Sequence, residues 1–431
     1  MGITNEKYST LEEYYNGISH RSIYSRCTYC GKCIENCTLL PQTSIKDTDS
    51  KKVIEDIIGY LKDGVLSEEV CEKVFKCASC GKCSDSCSLD IDILQIFEAV
   101  KMRLAKKGKI PEAVNHVMEI FDMWKVLSAI QISPSEIRWV NKASSSNQKA
   151  DYLIFLGCTL PAFPHIVFSL LDILDRMNID YIALAGGDLC CGFPLGPAAG
   201  MVAEAENKIK ELTANIKAFS PKKVILACAG CYRLFTEMYP KLEFVEMDYE
   251  VQYYTEFLRE KLKKEDFVKP LNKQIVLHES CMSRRTRVNE STKKLLEAIP
   301  GLKIINGGEI CCGGTPMITF PELANMATNF IETLSAKVFD TKSDCLSNIC
   351  QLCGMVYYPC KDKFSFDIID IPTLVNLSLG GREYENKWLQ YYKCKSIDEL
   401  IDITRNNFEG NGFSEKQTEE ILSRFFQLNN S

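Results

Sequence analysis

No part of this 431-residue chain approaches the roughly 18 consecutive apolar residues that a membrane helix requires; stretches such as DYLIFLGC and VILACAGC break early. The opening residues, MGITNEKYSTLEEYYNG, lack the basic start, apolar middle and small-residue cleavage site of a secretory signal. A reducing cytoplasmic setting is expected, with membrane association only through a partner. Positive charge is not in excess either: 51 Lys and Arg against 57 Asp and Glu give a net charge of −6 and a pI near 5.6. That argues against nucleic acid as a partner, because phosphate binding needs concentrated positive charge. The glycine pairs Gly186-Gly187 and Gly307-Gly308 belong to no Walker loop and no G-x-G-x-x-G turn. A flavin or nucleotide is therefore expected on a partner.

What the chain has in abundance is cysteine, 22 residues of it. Disulfide frameworks belong mainly to short secreted domains that cannot build a core. A chain of this length with 46% hydrophobic residues can build several, so the thiols need another explanation.

Ile54, Ile57, Ile58 and Leu61 recur at the spacing of one helix face, predicting a helix between two cysteine runs. Asp90 or Asp92 is placed to cap the next helix, IDILQIFEAVKMRLAKKGK, and Pro111 suits the first turn of another running through Trp124. Residues 1–130 are thus expected to form a helical domain around the cysteine runs. In 131–150 the serines, Asn147 and Gln148 interrupt any apolar period, which reads as a linker. Beyond it, short apolar runs (DYLIFL, YIAL, KVILA, QIVLH, MVYY) alternate with longer amphipathic stretches, the pattern of α/β layers.

Within those layers Cys158, Cys190, Cys228 and Cys231 reappear as Cys281, Cys311, Cys350 and Cys353. The offsets 281 − 158, 311 − 190, 350 − 228 and 353 − 231 are 123, 121, 122 and 122 residues. Such agreement marks two copies of one unit, placed at 151–250 and 270–375. The tail, 376–431, carries Ser396 with Glu399 and Ser414 with Gln417 as capping pairs. Its stripe of Ile421, Leu422, Phe425 and Phe426 is expected to pack on its own chain.

Cys27, Cys30, Cys33 and Cys37 stand at C-x-x-C-x-x-C-x-x-x-C spacing, and Cys77, Cys80, Cys83 and Cys87 repeat it, with Gly31-Lys32 matched by Gly81-Lys82. Three thiolates two residues apart can wrap three corners of an iron-sulfur cluster, and the fourth corner must be reached from elsewhere. Zinc sites instead pair two C-x-x-C units across a longer gap. The runs resemble those of bacterial two-cluster ferredoxins, in which the fourth cysteine of each run serves the other cluster. On that resemblance Cys27, Cys30, Cys33 and Cys87 would hold one cubane 4Fe-4S cluster, and Cys77, Cys80, Cys83 and Cys37 a second. Thr38 and Ser88 replace the proline usual after the fourth cysteine, which loosens the turn but removes no ligand.

Each repeat offers five thiols: an isolated one, an adjacent pair before glycine, and a C-x-x-C. They are Cys158, Cys190, Cys191, Cys228 and Cys231, then Cys281, Cys311, Cys312, Cys350 and Cys353. Adjacent cysteines do not readily bond to each other, and the glycine lets backbone approach closely, as a metal site would need. Cys71, Cys345, Cys360 and Cys394 fall outside every motif and are expected to be mostly structural.

GCTLPAFP, CCGFPLGPAAG and CAGCYRLF in the first repeat, with HESCMSRR, CCGG and NICQLC in the second, complete the pattern. In their order and spacing the chain resembles the heterodisulfide reductase and glycolate or glycerol-3-phosphate oxidoreductase iron-sulfur subunits, over about residues 20–375. The fold this implies is α+β and α/β: an N-terminal helical two-cluster ferredoxin domain, then two tandem α/β CCG repeats. The cofactors implied are two cubane clusters and one or two non-cubane 4Fe-4S clusters in the repeats, with zinc in one repeat as the alternative. Because all ten repeat positions are filled, the resemblance points to an oxidoreductase subunit that relays electrons through the cubanes to repeat clusters that reduce a disulfide. Its partners would be a flavoprotein or other electron-donor subunit and a small thiol or disulfide. One alternative is an electron-transfer subunit of a flavin-dependent glycolate, lactate or glycerol-3-phosphate dehydrogenase; another is a non-enzymatic redox sensor or scaffold.

His278, just before Cys281, is a candidate catalytic proton donor to a departing thiolate, against the plainer reading of a hydrogen-bonded strand end. His165, among prolines, reads as part of a structural turn. Arg284, Arg285 and Arg287 are candidates to clamp an anionic substrate group, against a solvated basic face.

Overall fold

The computed structural model describes residues 6–20, 26–143, 149–314 and 325–427. Five main helices make up the N-terminal part: α1 (Leu11–His20), α2 (Ser50–Asp63), α3 (Glu68–Phe75), α4 (Ile93–Lys106) and α5 (Glu119–Ala129). Asp49 opens α2 by accepting a hydrogen bond from Lys51 N at 3.0 Å. The face bearing Ile54, Ile57, Ile58 and Leu61 is buried, and with α3 and α4 it forms one core. Asp92 is the cap of α4, accepting from Gln95 N at 3.4 Å, while Asp90 sits in a left-handed turn at φ 56°. The helix expected to run from Pro111 through Trp124 is broken instead. Short turns at Glu112–Asn115 and His116–Met118 precede α5, in which Trp124 is buried.

Two parallel sheets follow. The first has β1 (Tyr152–Gly157), α6 (Pro164–Arg176), β2 (Tyr181–Ala185), α7 (Val202–Phe219), β3 (Lys223–Leu226), α8 (Ala229–Glu237), β4 (Glu250–Tyr253) and α9 (Tyr254–Lys261). The second has β5 (Gln274–His278), α10 (Val288–Glu297), β6 (Lys303–Gly308), α11 (Asn325–Asp340), β7 (Cys345–Asn348), α12 (Gln351–Met355), β8 (Asp367–Ile368) and α13 (Ile371–Ser378). Strand order is β2-β1-β3-β4 in one and β6-β5-β7-β8 in the other. In such sheets the chain leaves the central pair of strands in opposite directions, which opens a crevice at their carboxyl ends. Cys158 follows β1 and Cys228 follows β3; Cys281 and Cys350 occupy the same places after β5 and β7. The repeat thus sets its cysteines at the switch point of each sheet.

The two units exchange helices. The last helix of the first, α9, packs on the first helix of the second, α10, and α13 returns the arrangement against α6. Buried hydroxyls stitch both seams: Thr255 with Ser291 at 2.9 Å and Thr292 at 3.1 Å, and Ser169 with Thr373 at 3.3 Å.

The interval read as a linker is partly structural. Trp139 is buried against Phe168, Arg138 pairs with Asp172 at 3.0 Å, and Val140 exchanges hydrogen bonds with the edge of β2. That edge strand has unpaired backbone groups to satisfy. Residues 144–148, including Asn147, lie outside the described residues. In the tail, Ser396 opens α14 (Ile397–Gly410) by accepting from Glu399 N, and Ser414 opens α15 (Glu415–Phe426) by accepting from Gln417 N. Leu422 is buried, and Phe425 and Phe426 stack on Trp388.

Candidate metal centres

Each four-cysteine run closes into the same loop. Tyr29 (φ 55°) and Gly31 (φ 79°) are left-handed in the first, and Ser79 (φ 54°) and Gly81 (φ 79°) stand at the same places in the second. Residues of alternating hand turn successive N–H groups toward one point, a nest that suits anionic sulfur. Tyr29 N donates to Cys27 Sγ at 3.4 Å, as Ser79 N does to Cys77 Sγ at 3.3 Å. A single helical turn, Lys32–Glu35 or Lys82–Asp85, then carries the third cysteine of each run, Cys33 or Cys83, into the interior.

Cys27, Cys30, Cys33 and Cys87 line one cavity. Burial pushes the Cys33 thiol up to about 12, and the sulfurs of Cys27, Cys30 and Cys87 act in the same direction. Burial likewise raises Cys83, with Cys77, Cys80 and Cys37 adding to it. The fourth cysteine of each run therefore stands with the first three of the other.

In the first repeat the thiols form one string of sulfur contacts: Cys158 to Cys190, Cys190 to Cys191, Cys191 to Cys231, Cys231 to Cys228. In the second the string is cut into Cys281 with Cys311, and Cys312 with Cys353 and Cys350. The Cys353 and Cys312 sulfurs are 3.3 Å apart. Gly192 N donates to Cys190 Sγ, and Gly313 N to Cys311 Sγ, at 3.3 and 3.4 Å.

The groups are close to one another. Cys311 packs in one cluster with Cys37 and Leu39 at the end of the first ferredoxin loop and Ala78 in the second, and the Thr38 hydroxyl bonds to its sulfur. Buried Tyr253 is held far above the usual phenol range by burial and Tyr254, and then by sulfurs of both repeats, Cys228, Cys350 and Cys231. The ferredoxin part is tied to both repeats by one charged network. Arg233 on α8 donates to Glu98 at 3.0 Å and to Glu237 at 3.2 Å; Arg285 donates to Glu237 at 2.9 Å and to both Asp92 oxygens at 2.8 and 2.6 Å.

Arg285 is thus neither a solvated face nor a free clamp for substrate, because Asp92 and Glu237 occupy its guanidinium. Arg284 pairs with Asp85 and Glu309; Arg287 lines an open cleft between α9 and α10. His278 is fully buried, with Nε2 2.8 Å from the Ile310 carbonyl, and burial lowers its pKa to about 4. It is neutral near pH 7 and its hydrogen bond holds the loop before Cys311, which is the strand-end role. His165 meets Asp370 at 3.2 Å inside the seam between α6 and α13. Cys345 and Cys394 are buried, and Cys71 and Cys360 half-buried, in no thiol group described above. Sequence reading missed Lys73, whose Nζ lies 3.2 Å from Cys37 Sγ, and the partners Glu98, Arg233 and Glu237.

Among the described residues, no three His, Cys, Asp or Glu side chains converge as ligands of a single ion. The thiols instead surround a shared cavity or run in strings, all 22 cysteines are free of disulfides, and burial raises the thiols of Cys33 and Cys83, with neighbouring sulfurs adding to it. Those residues fit a multi-atom group that brings positive charge to several sulfurs at once.

Residues 23–91 match the 4Fe-4S dicluster domain, and residues 152–236 and 275–357 each match the cysteine-rich CCG domain. Among curated proteins the chain is 28% identical over 389 residues to a dihydromethanophenazine:CoB–CoM heterodisulfide reductase subunit of Methanosarcina acetivorans, covering 82% of this chain and 93% of that protein. The Methanosarcina barkeri protein of the same name is 29% identical over 330 residues, 73% of this chain and 80% of that one. Lactate utilization protein A 1 of Bacillus mycoides is 27% identical over 217 residues, 46% of this chain and 86% of that protein. Among the described residues no helix is long and apolar enough to cross a membrane. With its helical dicluster region and its two parallel-sheet CCG domains, the chain belongs to the heterodisulfide reductase-like family of CCG-domain iron-sulfur proteins, and it is an iron-sulfur oxidoreductase subunit.

Proposed function

We propose that this subunit takes electrons one at a time from a donor partner, a flavoprotein or another redox subunit, and delivers two of them to a small disulfide bound between the repeats. The observation that carries this reading is the filling of all ten repeat positions with cysteine, in two sites whose sulfurs approach the same buried Tyr253. Cys27, Cys30, Cys33 and Cys87 would hold the outer cubane, Cys37, Cys77, Cys80 and Cys83 the inner one, and each repeat's five cysteines a further cluster. Bound clusters supply one-electron transfer.

The chain's own residues supply the arrangement. The nests at Tyr29-Gly31 and Ser79-Gly81 orient N–H groups toward sulfur, and hydrogen bonds of this kind tune cluster potentials. The contact of Cys37, Leu39 and Ala78 with Cys311 supports entry to the repeats through the second one. Reduction of a disulfide breaks one S–S bond and consumes two electrons and two protons to give two thiols. Two acceptor sites facing one another match that demand, one sulfur to each. The protons come from water, since His278 is neutral and held by Ile310.

The test uses full-length protein reconstituted without oxygen with iron and sulfide. Expected are iron and acid-labile sulfide for at least two clusters, turnover of a disulfide with a reduced viologen, and a new paramagnetic signal when thiol is added to oxidised protein. Iron without turnover and without that signal overturns the disulfide reading in favour of a relay subunit.

A further inference from the structure

Lys73 is an unusual cation. It is 2% exposed, its Nζ donates to Cys37 Sγ at 3.2 Å and lies 4.9 Å from the centre of the Phe97 ring, and among the described residues no carboxylate pairs with it. Its neighbour on the next turn, Lys76, is tied to Glu72 at 3.0 Å in the ordinary way. The charge of Lys73 acts on Cys37, Cys77 and Cys83 of the inner site and also on Cys33 of the outer one. A buried ammonium is costly to desolvate unless opposite charge meets it. A neutral thiol and an aromatic face offer too little, whereas metal-bound thiolates supply the missing negative charge.

From this we infer that the Lys73 ammonium sets the two cubane sites apart in reduction potential, holding the inner one (Cys37, Cys77, Cys80, Cys83) higher and so drawing electrons toward the repeats. The inference rests on reading these cysteines as cluster ligands. Reduction adds one negative charge to a cluster, and a fixed positive charge in a poorly screened interior favours the reduced form. Among the described residues the outer site has no buried equivalent: Cys30 and Lys32 are exposed, and Lys62 reaches from the surface to the Tyr29 hydroxyl at 2.9 Å. Water there screens what charge is present. Lys73 is thus a positioning residue acting through the cluster, in contact with no substrate.

Anaerobically reconstituted full-length protein is titrated electrochemically while the two cubane signals are followed by electron paramagnetic resonance, for wild type, Lys73→Met and Lys73→Arg. In Lys73→Met one cubane is expected to become harder to reduce, its oxidised-to-reduced ratio at fixed potential rising about tenfold, or about 59 mV for a one-electron couple. The other should move less, and Lys73→Arg should restore most of the shift. Equal shifts of both signals, or none, overturn the inference. Should Lys73→Met fail to retain iron, wild-type protein carrying 15N only in lysine side chains decides. A nitrogen hyperfine coupling on one reduced cubane supports the assignment, and its absence from both overturns it. Wild type that takes up no iron refutes the cluster reading itself, a result distinct from either.

Discussion

The two repeats share strand order, cysteine spacing and exchanged helices, yet they are held against the ferredoxin part differently. The first is anchored by Arg233 and Glu98, each side chain 4% exposed. It is also anchored by a close approach in which Gly200 (φ 76°) lies against the backbone of Lys101 and Lys101 Nζ donates to the Pro197 carbonyl at 2.9 Å. The second is anchored by Arg285 and Asp92, at 23% and 24% exposure, and by the packing of Cys311 with Leu39 and Ala78 of the ferredoxin part. Similar scaffolds are thus held unequally: one by buried charge, the other by a partly exposed ion pair and the packing of Cys311.

Breaking the anchors one at a time should rank them. Arg233→Ala leaves Glu98 buried and unpaired and should cost about 3–5 kcal/mol in denaturant unfolding. The next effect belongs to the second repeat alone. His278 has a pKa of about 4 in the fold against an ordinary 6.5, so it is neutral when folded. As pH falls from 6.5 toward 4 the unfolded chain gains a proton that the folded chain refuses, and roughly 3 kcal/mol of stability is lost. The equivalent position in β1 is Phe155, equally buried, so His278→Phe should flatten the pH dependence of unfolding between those limits. An unchanged slope would show that the buried imidazole is not its source. Gly200→Ala drives a Cβ to 2.5 Å from the Lys101 carbonyl in a left-handed conformation; thermal unfolding should report a loss of roughly 2 kcal/mol. Arg285→Ala, whose partners can turn to water, should cost only about 1 kcal/mol. A loss as large as that of Arg233→Ala would erase the distinction between the anchors.

Cysteine spacing made the thiol groups legible because such a loop is a local object: a short run of residues sets its shape, and two runs of the same spacing announce two such loops. The repeat was legible for a related reason, since 122 residues separate matched thiols such as Cys228 and Cys350. What escaped is long-range. Arg233 meets Glu98 across 135 positions and Arg285 meets Asp92 across 193, and no periodicity marks such pairs. Lys73 escaped because a lysine on an amphipathic helix reads as solvent-facing, and only the fold shows that α3 turns it toward sulfur. His278 shows what proximity in sequence leaves open: three residues from Cys281, it points its ring at Phe330 and Ile310, the placement of a hydrogen-bonded strand end.

The exchange of helices between α9 and α10, and between α6 and α13, has a consequence for what a half of this molecule can do. A lone repeat would present two helix faces, with their buried hydroxyls, that the other repeat covers in the intact chain. Each repeat carries both kinds of face, so the two seams repeat one pairing of a last helix on a first helix. Joining two copies in one polypeptide makes that pairing intramolecular and independent of concentration, and it lets the copies diverge, as their different anchors do.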